Sequence, residues 1–195
     1  EAAGQRKPGD WGGVIICGKA KNNQTEMQIE GGPRTRHGGN DDADNSGVLS
    51  YVRIEFAGYP FQTDQEINGL TLGSVGSGTK IDHVQVSYSN DDSYEWFGGT
   101  VNCKYLVAYH GWDDDFDTDN GFSGKVQFAL SIRDPRIADT SQSNGFESDN
   151  DADGSLTEPF TSAVFSNVTF VGPIGRDGFE NTPDYINGGK MFPQN

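Results

Sequence analysis

The sharpest chemical signature in the chain is Asp149-Asn150-Asp151-Ala152-Asp153-Gly154. Three carboxylates alternate along a turn that Gly makes possible, the D-x-D-x-D-G pattern of a calcium loop. An EF-hand places a bidentate Glu at its twelfth position. Phe160 stands there, and only a differently closed loop brings in Glu158. The motif therefore predicts a simple calcium turn through Asp149, Asp151 and Asp153, or else a solvated acidic corner.

A second acidic run, Asp113-Asp114-Asp115-Phe116-Asp117-Thr118-Asp119, has five carboxylates in seven residues. Such crowding is repulsive unless water or a cation intervenes. Asp113, Asp115 and Asp117 are the candidate ligands. If successive turns stack, Asp91 and Asp92 lie one rung away, and calcium between rungs relieves the repulsion. The competing reading is a corner ladder of Asx turns. Asn40-Asp41-Asp42-Ala43-Asp44-Asn45 is a weaker copy.

Trp11, Trp96, Trp112 and Tyr109 flank the apolar segments rather than sitting in their most apolar positions. They are candidates for stacking on sugar rings, or for packing at corners. Hydrolysis of a glycosidic bond needs two carboxyls at a set separation. The acidic turns offer too many pairs to single one out. A calcium-dependent lyase needs a base near the metal, for which Arg133, Arg136 and Arg176 are available. His37, His83 and His110 do not cluster by spacing, and His83 falls at an outward strand position. No Ser–His–Asp order, CxxC or phosphate loop is present, so no catalytic residue is assigned.

These residues sit in a 195-residue chain with 29 acidic against 14 basic residues, a formal charge of −15. That balance argues against nucleic acid and against an anionic membrane surface as partners. Only 33% of residues are hydrophobic, yet 12 Phe, 7 Tyr and 3 Trp are too many aromatics for a disordered chain. Cys17 and Cys103 lie in apolar runs, as expected of buried thiols, although an oxidising compartment permits a disulfide. The longest apolar runs are far too short to span a membrane.

What must position the acidic turns is a repeat. Gly47–Phe56, Thr79–Tyr88, Thr100–Tyr109, Gly124–Ile132 and Ser162–Phe170 are alternating strands that follow a small-residue turn. A second element, acidic turn then aromatic then acid, recurs at Tyr94-Glu95, Phe116-Asp117, Phe146-Glu147 and Phe179-Glu180, with a weaker copy near Leu70. Val84 to Leu106 is 106 − 84 = 22 residues, and Glu95 to Asp117 is 117 − 95 = 22. Other intervals are longer, such as 84 − 52 = 32 and 147 − 117 = 30. Two strands and two turns per unit, with insertions at turns, describe a solenoid. The fold class is all-β, a right-handed parallel β-helix, as one domain over residues 1–195. Tyr94, Phe116, Phe146 and Phe179 are expected to form an internal stack. Val52, Ile54 and Phe56, like Val84, Val86 and Tyr88, are expected to face inward.

The segments Gly9–Ile16, Asp44–Gly58, Glu66–Leu72, Val84–Asp92 and Asn144–Asn150 resemble a family of large, uncharacterised parallel β-helix proteins of Gram-negative bacteria. The resemblance implies an extracellular or outer-membrane surface protein, often lipid-anchored, and carries over no catalytic residue. It also implies further coils. Neither end reads as a cap, so missing coils or a partner chain are expected to cover both. The composite expectation is a non-catalytic surface β-helix that binds polysaccharide or a partner protein, with calcium in its turns. A calcium-dependent polysaccharide lyase or hydrolase is the enzymatic alternative. A stalk or accessory subunit of an outer-membrane complex is the structural one.

Overall fold

Gly, Asp and Asn break the chain into pieces too short and too β-branched for helices, and each alternating piece becomes a strand. The computed structural model describes residues 4–24, 27–29, 35–62, 65–139 and 143–172. Its strands are β1 (Val14–Cys17), β2 (Met27–Gln28), β3 (Arg36–His37), β4 (Val48–Glu55), β5 (Pro60–Gln62), β6 (Gln65–Glu66) and β7 (Leu70–Val75). They continue with β8 (Lys80–Ser87), β9 (Tyr94–Gly99), β10 (Asn102–Tyr109), β11 (Phe116–Asp119), β12 (Lys125–Ile132), β13 (Phe146–Ser148) and β14 (Val164–Val171).

Two five-stranded sheets carry the architecture, in the orders β1-β7-β9-β11-β13 and β4-β8-β10-β12-β14. All pairings within them are parallel. The chain alternates between the sheets and advances one strand per circuit, which over the described residues is a parallel β-helix of five coils. The register matches the repeat arithmetic: Val52 pairs with Val84, Val84 with Leu106, and Glu95 with Asp117. The longer intervals hold insertions. The antiparallel β5–β6 hairpin lies in the 32-residue one, and β2–β3 forms a second hairpin within the first coil.

The core lies between the sheets. Tyr94, Phe116 and Phe146 stack in register, with ring centroids 5.5 and 5.9 Å apart. Phe179, the expected fourth member, lies outside the described residues. On the opposite sheet Ile54, Ile81, Val84, Val86, Cys103, Leu106 and Val126 close the same core. Both cysteines are free; Cys103 is buried and Cys17 half-buried on the other sheet.

Strict alternation fails at one point in every long strand. Tyr51, His83, Tyr105, Phe128 and Asn167 all have φ between 51° and 62°. They form one column, because the ladder pairs the residues before and after them and skips them. Each left-handed residue bends its strand, so Val52 and Val84 still face inward two positions after another outward residue. A second such column contains Phe56, Tyr88 and His110, with φ of 55° to 60°. This corrects the expected burial of Phe56 and Tyr88: the backbone reversal turns both rings out of the core, where they stack at 4.9 Å.

Candidate functional site

The turn that leads into the first sheet brings the acidic residues of successive coils into columns. Leu70, Tyr94, Phe116 and Phe146 are in register, so two residues earlier Asn68, Asp92, Asp114 and Asn144 form a corner ladder. Its side chains reach the next coil. Asp92 Oδ1 accepts from the Asp114 backbone N–H at 2.9 Å, and an Asp114 carboxylate oxygen accepts from the Asn144 N–H. The sheet then directs Glu95, Asp117 and Glu147 outward in a second column.

Asp92 joins these columns. Oxygens of Asp91, Asp92 and Asp113 lie within 4.8 Å of one another, and so do those of Asp92, Glu95 and Asp117. The two sets share one buried carboxylate, with Asp92 8% exposed and Glu95 6%. Burial pushes the Asp92 carboxyl well above its ordinary range, and the charges of Asp91, Asp117, Asp114 and Glu95 push it further. Burial and then Glu147 raise Asp117 to about 8. Burial and neighbouring carboxyls raise Asp114 to about 10 and Asp119 to about 6.

Several acceptors in this seam are sealed from solvent without a hydrogen bond. They are Asp117 Oδ1, Asn68 Oδ1, Ser93 Oγ and Asn144 Oδ1. The Asn68 amide donates to Glu95 and to Thr71 Oγ1 at 3.3 Å, which leaves its carbonyl as the orphan. A buried acceptor without a donor costs about 1–3 kcal/mol. Carboxylate oxygens gathered as in the two sets that share Asp92 are the ligand type a hard divalent cation takes.

The sequence-derived ligands divide. Asp113 and Asp117 enter the seam, one in each set. Asp115 does not, because its position on the corner points it inward. There it accepts from Arg133 Nη1 at 3.0 Å and from Ser131. The pair is buried, with side chains 5% and 0% exposed. Asp151 spends its carboxylate on its own loop, accepting from the backbone of Asp153 at 3.1 Å and of Ser155 at 2.9 Å, and from Ser155 Oγ. Asp149 and Asp153 are exposed. The D-x-D-x-D-G motif is thus closed by hydrogen bonds as an Asx turn, and no metal-competent cluster of the described residues includes it. Asp92 lies one rung from the acidic run, as its spacing predicts, whereas Glu95 is the member of these sets that the motifs did not single out; the 22-residue offset that pairs Glu95 with Asp117 is its signal in the sequence.

The aromatic candidates scatter. Trp96 is fully buried, stacked between Tyr94 and Phe122, and is withdrawn as a ligand residue. It follows Glu95 on a strand whose even positions face the core. Trp11 is exposed, with its indole N–H donating to the Glu55 carbonyl at 2.7 Å. Trp112 lines a groove of about 440 Å³ with Tyr59 and Pro60. Tyr109 is half-buried against His110 at 3.8 Å.

The continuous aromatic strip lies elsewhere. Tyr51, His83, Tyr105 and Phe128, the left-handed column, stack on the outside of the second sheet at 4.3, 4.5 and 5.1 Å. They border an open crease of about 700 Å³ that runs past five strands. Reading the residue before each of Val52, Val84, Leu106 and Ala129 exposes this column in the sequence. Of the basic candidates, Arg133 is committed to Asp115, and Arg136 binds Asp134 at 2.7 Å; Arg176 lies outside the described residues. His37 is buried, and burial lowers it to about 4. Among the described residues no helix is long and apolar enough to cross a membrane.

Comparison with protein families matches residues 1–186 to the pectate-lyase-like β-helix domain. No curated protein and no solved structure matches the chain. The chain belongs to the pectate-lyase-like β-helix domain family.

Proposed function

We propose that this β-helix is a non-catalytic binding protein of the cell surface or extracellular space that holds calcium in the Asp92 seam and binds polysaccharide on its flanks. The observation that carries the cation is the pair of carboxylate sets sharing Asp92, together with the unpartnered oxygens of Asp117 and Asn68 beside them. Calcium suits the seam better than magnesium, because carboxylate, amide and hydroxyl oxygens at irregular angles fit its flexible coordination. Asp92, Glu95 and Asp117 are the first ligands in this reading, with Asp91 and Asp113 on the far side of Asp92. The bound ion would replace protons on Asp92 and Asp117 and tie consecutive coils together.

The non-catalytic reading rests on the base. Lyase chemistry needs a proton acceptor beside the metal, and Arg133 and Arg136 are held by Asp115 and Asp134. The Gram-negative outer-membrane setting extends the resemblance noted in the sequence. The test is a thermal melt with calcium and with chelator, joined to an assay for unsaturated uronate products on acidic polysaccharides. A calcium-dependent rise of several degrees without product supports the proposal. An unmoved melt removes the cation, and a calcium-dependent rise in product makes the chain a lyase.

A further inference from the structure

An aromatic groove crosses the corner that follows the second sheet. The hydrogen-bond ladder runs on past the strands there. The Asn90 N–H donates to the Ala57 carbonyl at 2.9 Å, and the Trp112 N–H donates to the Ser89 carbonyl at 3.0 Å. Gly58, Asn90 and Trp112 therefore stand on consecutive rungs, and Tyr59 and Pro60 follow Gly58 directly. The groove of about 440 Å³ spans these three rungs and is lined also by Lys7 and Pro8. It belongs neither to the Asp92 seam nor to the outer face of the second sheet.

The rings of this groove sit on a fixed backbone. The Trp112 carbonyl accepts from Ser143 Oγ at 2.7 Å and from Arg133 Nη2 at 3.3 Å. The Tyr59 N–H donates to the Trp11 carbonyl at 3.2 Å, and the Trp11 indole is tied in turn to the Glu55 carbonyl. Tyr59 nevertheless stays 51% exposed, with Pro60 exposed beside it and Trp112 half-buried. The polar groups that line the groove are rich in donors: the Lys7 ammonium, the Tyr59 hydroxyl, the Trp112 indole N–H and the Asn90 amide. The side chains of Asn90 and Trp112 have no hydrogen-bond partner among the described residues. Asp10, Asp91 and Asp113 each follow a lining residue directly, namely Gly9, Asn90 and Trp112. Acids thus accompany the groove against one lining base, Lys7, in a chain of formal charge −15.

We propose that this corner groove binds a proline-rich protein segment in the polyproline II conformation, with Lys or Arg beside its prolines. The period fits. Two rungs at ~4.8 Å each set the coils of Tyr59 and Trp112 ~9.6 Å apart along the helix axis. A polyproline II chain has three residues per turn at ~3.1 Å each, so one face returns every ~9.3 Å. Prolines three residues apart then meet the Tyr59 ring and the Trp112 ring, the aromatic-lined docking that such segments use. The polar chemistry fits as well. Prolines have no N–H, so the ligand backbone offers carbonyl acceptors, and Asn90 on the middle rung meets them with an amide donor. Asp10, Asp91 and Asp113 supply the countercharge for the basic residue. A neutral glycan fits less well, because its many hydroxyls need more polar partners than a wall of Pro8, Pro60, Tyr59 and Trp112 provides. This inference goes beyond the proposed polysaccharide binding and rests neither on it nor on the cation.

The test is a fluorescence-polarisation titration of the protein with a labelled nonaproline peptide that carries an N-terminal arginine. Chelator is present, so that no metal neutralises Asp91 or Asp113. Two control peptides replace the prolines by alanine, or the arginine by glutamate, and cellohexaose serves as an unlabelled competitor. Tyr59→Ala and Trp112→Ala each remove one ring, Leu156→Ala removes an exposed apolar residue of another turn, and circular dichroism confirms that each variant folds. The expected result is saturable binding of the arginine–proline peptide, weaker at high salt and at least tenfold weaker for either control peptide. Each ring variant should lose at least tenfold, Leu156→Ala should match wild type, and cellohexaose should not compete. Where Trp112→Ala fails to fold, the exposed Tyr59 decides. No saturable binding, or binding that Tyr59→Ala leaves unchanged, would overturn the site. Equal binding of the alanine peptide would overturn the polyproline II class, and equal binding of the glutamate peptide would overturn the basic residue. Displacement by cellohexaose would overturn the peptide and make the corner a glycan subsite.

Discussion

Asp115 and Asp92 are neighbours on one corner of the helix, yet they solve burial differently. Asp115 has Arg133 and Ser131 as partners, whereas Asp92 has carboxylates around it. Removing one member of a buried pair leaves an uncompensated charge, at a cost of about 3–5 kcal/mol. Arg133→Met should therefore destabilise the protein by about that much in chemical denaturation, and adding Asp115→Leu should restore most of the loss. A loss under ~1 kcal/mol in the single variant would mean that the pair is not buried as described. Asp92 and Asp117 set the pH dependence. Their folded-state values are raised, Asp117 to about 8. Without metal the folded state holds protons that the unfolded chain has released, so the contribution of these two carboxyls to stability is complete below about pH 4 and is lost as pH rises toward 8. The metal-free melting temperature should fall across that window, and calcium should remove most of the fall. A flat metal-free profile would contradict protonation of the seam.

Among the strands and turns, the sequence was most legible where side-chain period and coil period agree. Val52, Val84 and Leu106, and likewise Tyr94, Phe116 and Phe146, were identifiable because apolar residues at equal offsets can only be stacked rungs. What could not be read was the left-handed residue in each long strand. It looks like an ordinary outward position, and nothing in Tyr, His or Phe announces φ near 55°. Phe56 and Tyr88 turn outward through left-handed backbones of their own, equally silent in the sequence, and the aromatic column shows only once the rungs are aligned on Val52, Val84, Leu106 and Ala129. The acidic turns were half legible. Composition marked them as crowded, but whether an Asp closes its own loop, like Asp151, or meets another coil, like Asp92, depends on insertion lengths. At this scale Phe116→Ala, in the middle of the stack, should cost about 3–5 kcal/mol. Trp96→Ala should cost a similar amount, while Trp11→Ala, with its ring exposed, should cost ~1 kcal/mol or less. Equal effects of the two Trp variants in denaturant melts would deny the difference in burial. Gly13 has φ of +100°, and a Cβ there would collide with the Asn68 carbonyl. Gly13→Ala should loosen the first coil against the second and at the same time disturb the Asn68 end of the seam.

At the scale of the whole molecule, the solenoid divides its tasks by sheet. Each coil meets only its neighbours, so stability is close to a sum of rung contacts. A cation shared between Asp92 of one coil and Asp113 or Asp117 of the next would act as a staple within that sum. The opposite sheet, free of this acid, is left to present rings and cations outward. Calcium in the Asp92 seam is tested most directly by calorimetric titration of metal-stripped protein with calcium at pH 7, in two buffers of different ionisation enthalpy. The expected result is saturable binding by wild type, with protons released as calcium displaces them from the buried carboxyls, and loss of that binding in Asp92→Asn. Heats that do not saturate, or saturable binding that Asp92→Asn leaves unchanged and without proton release, would contradict it.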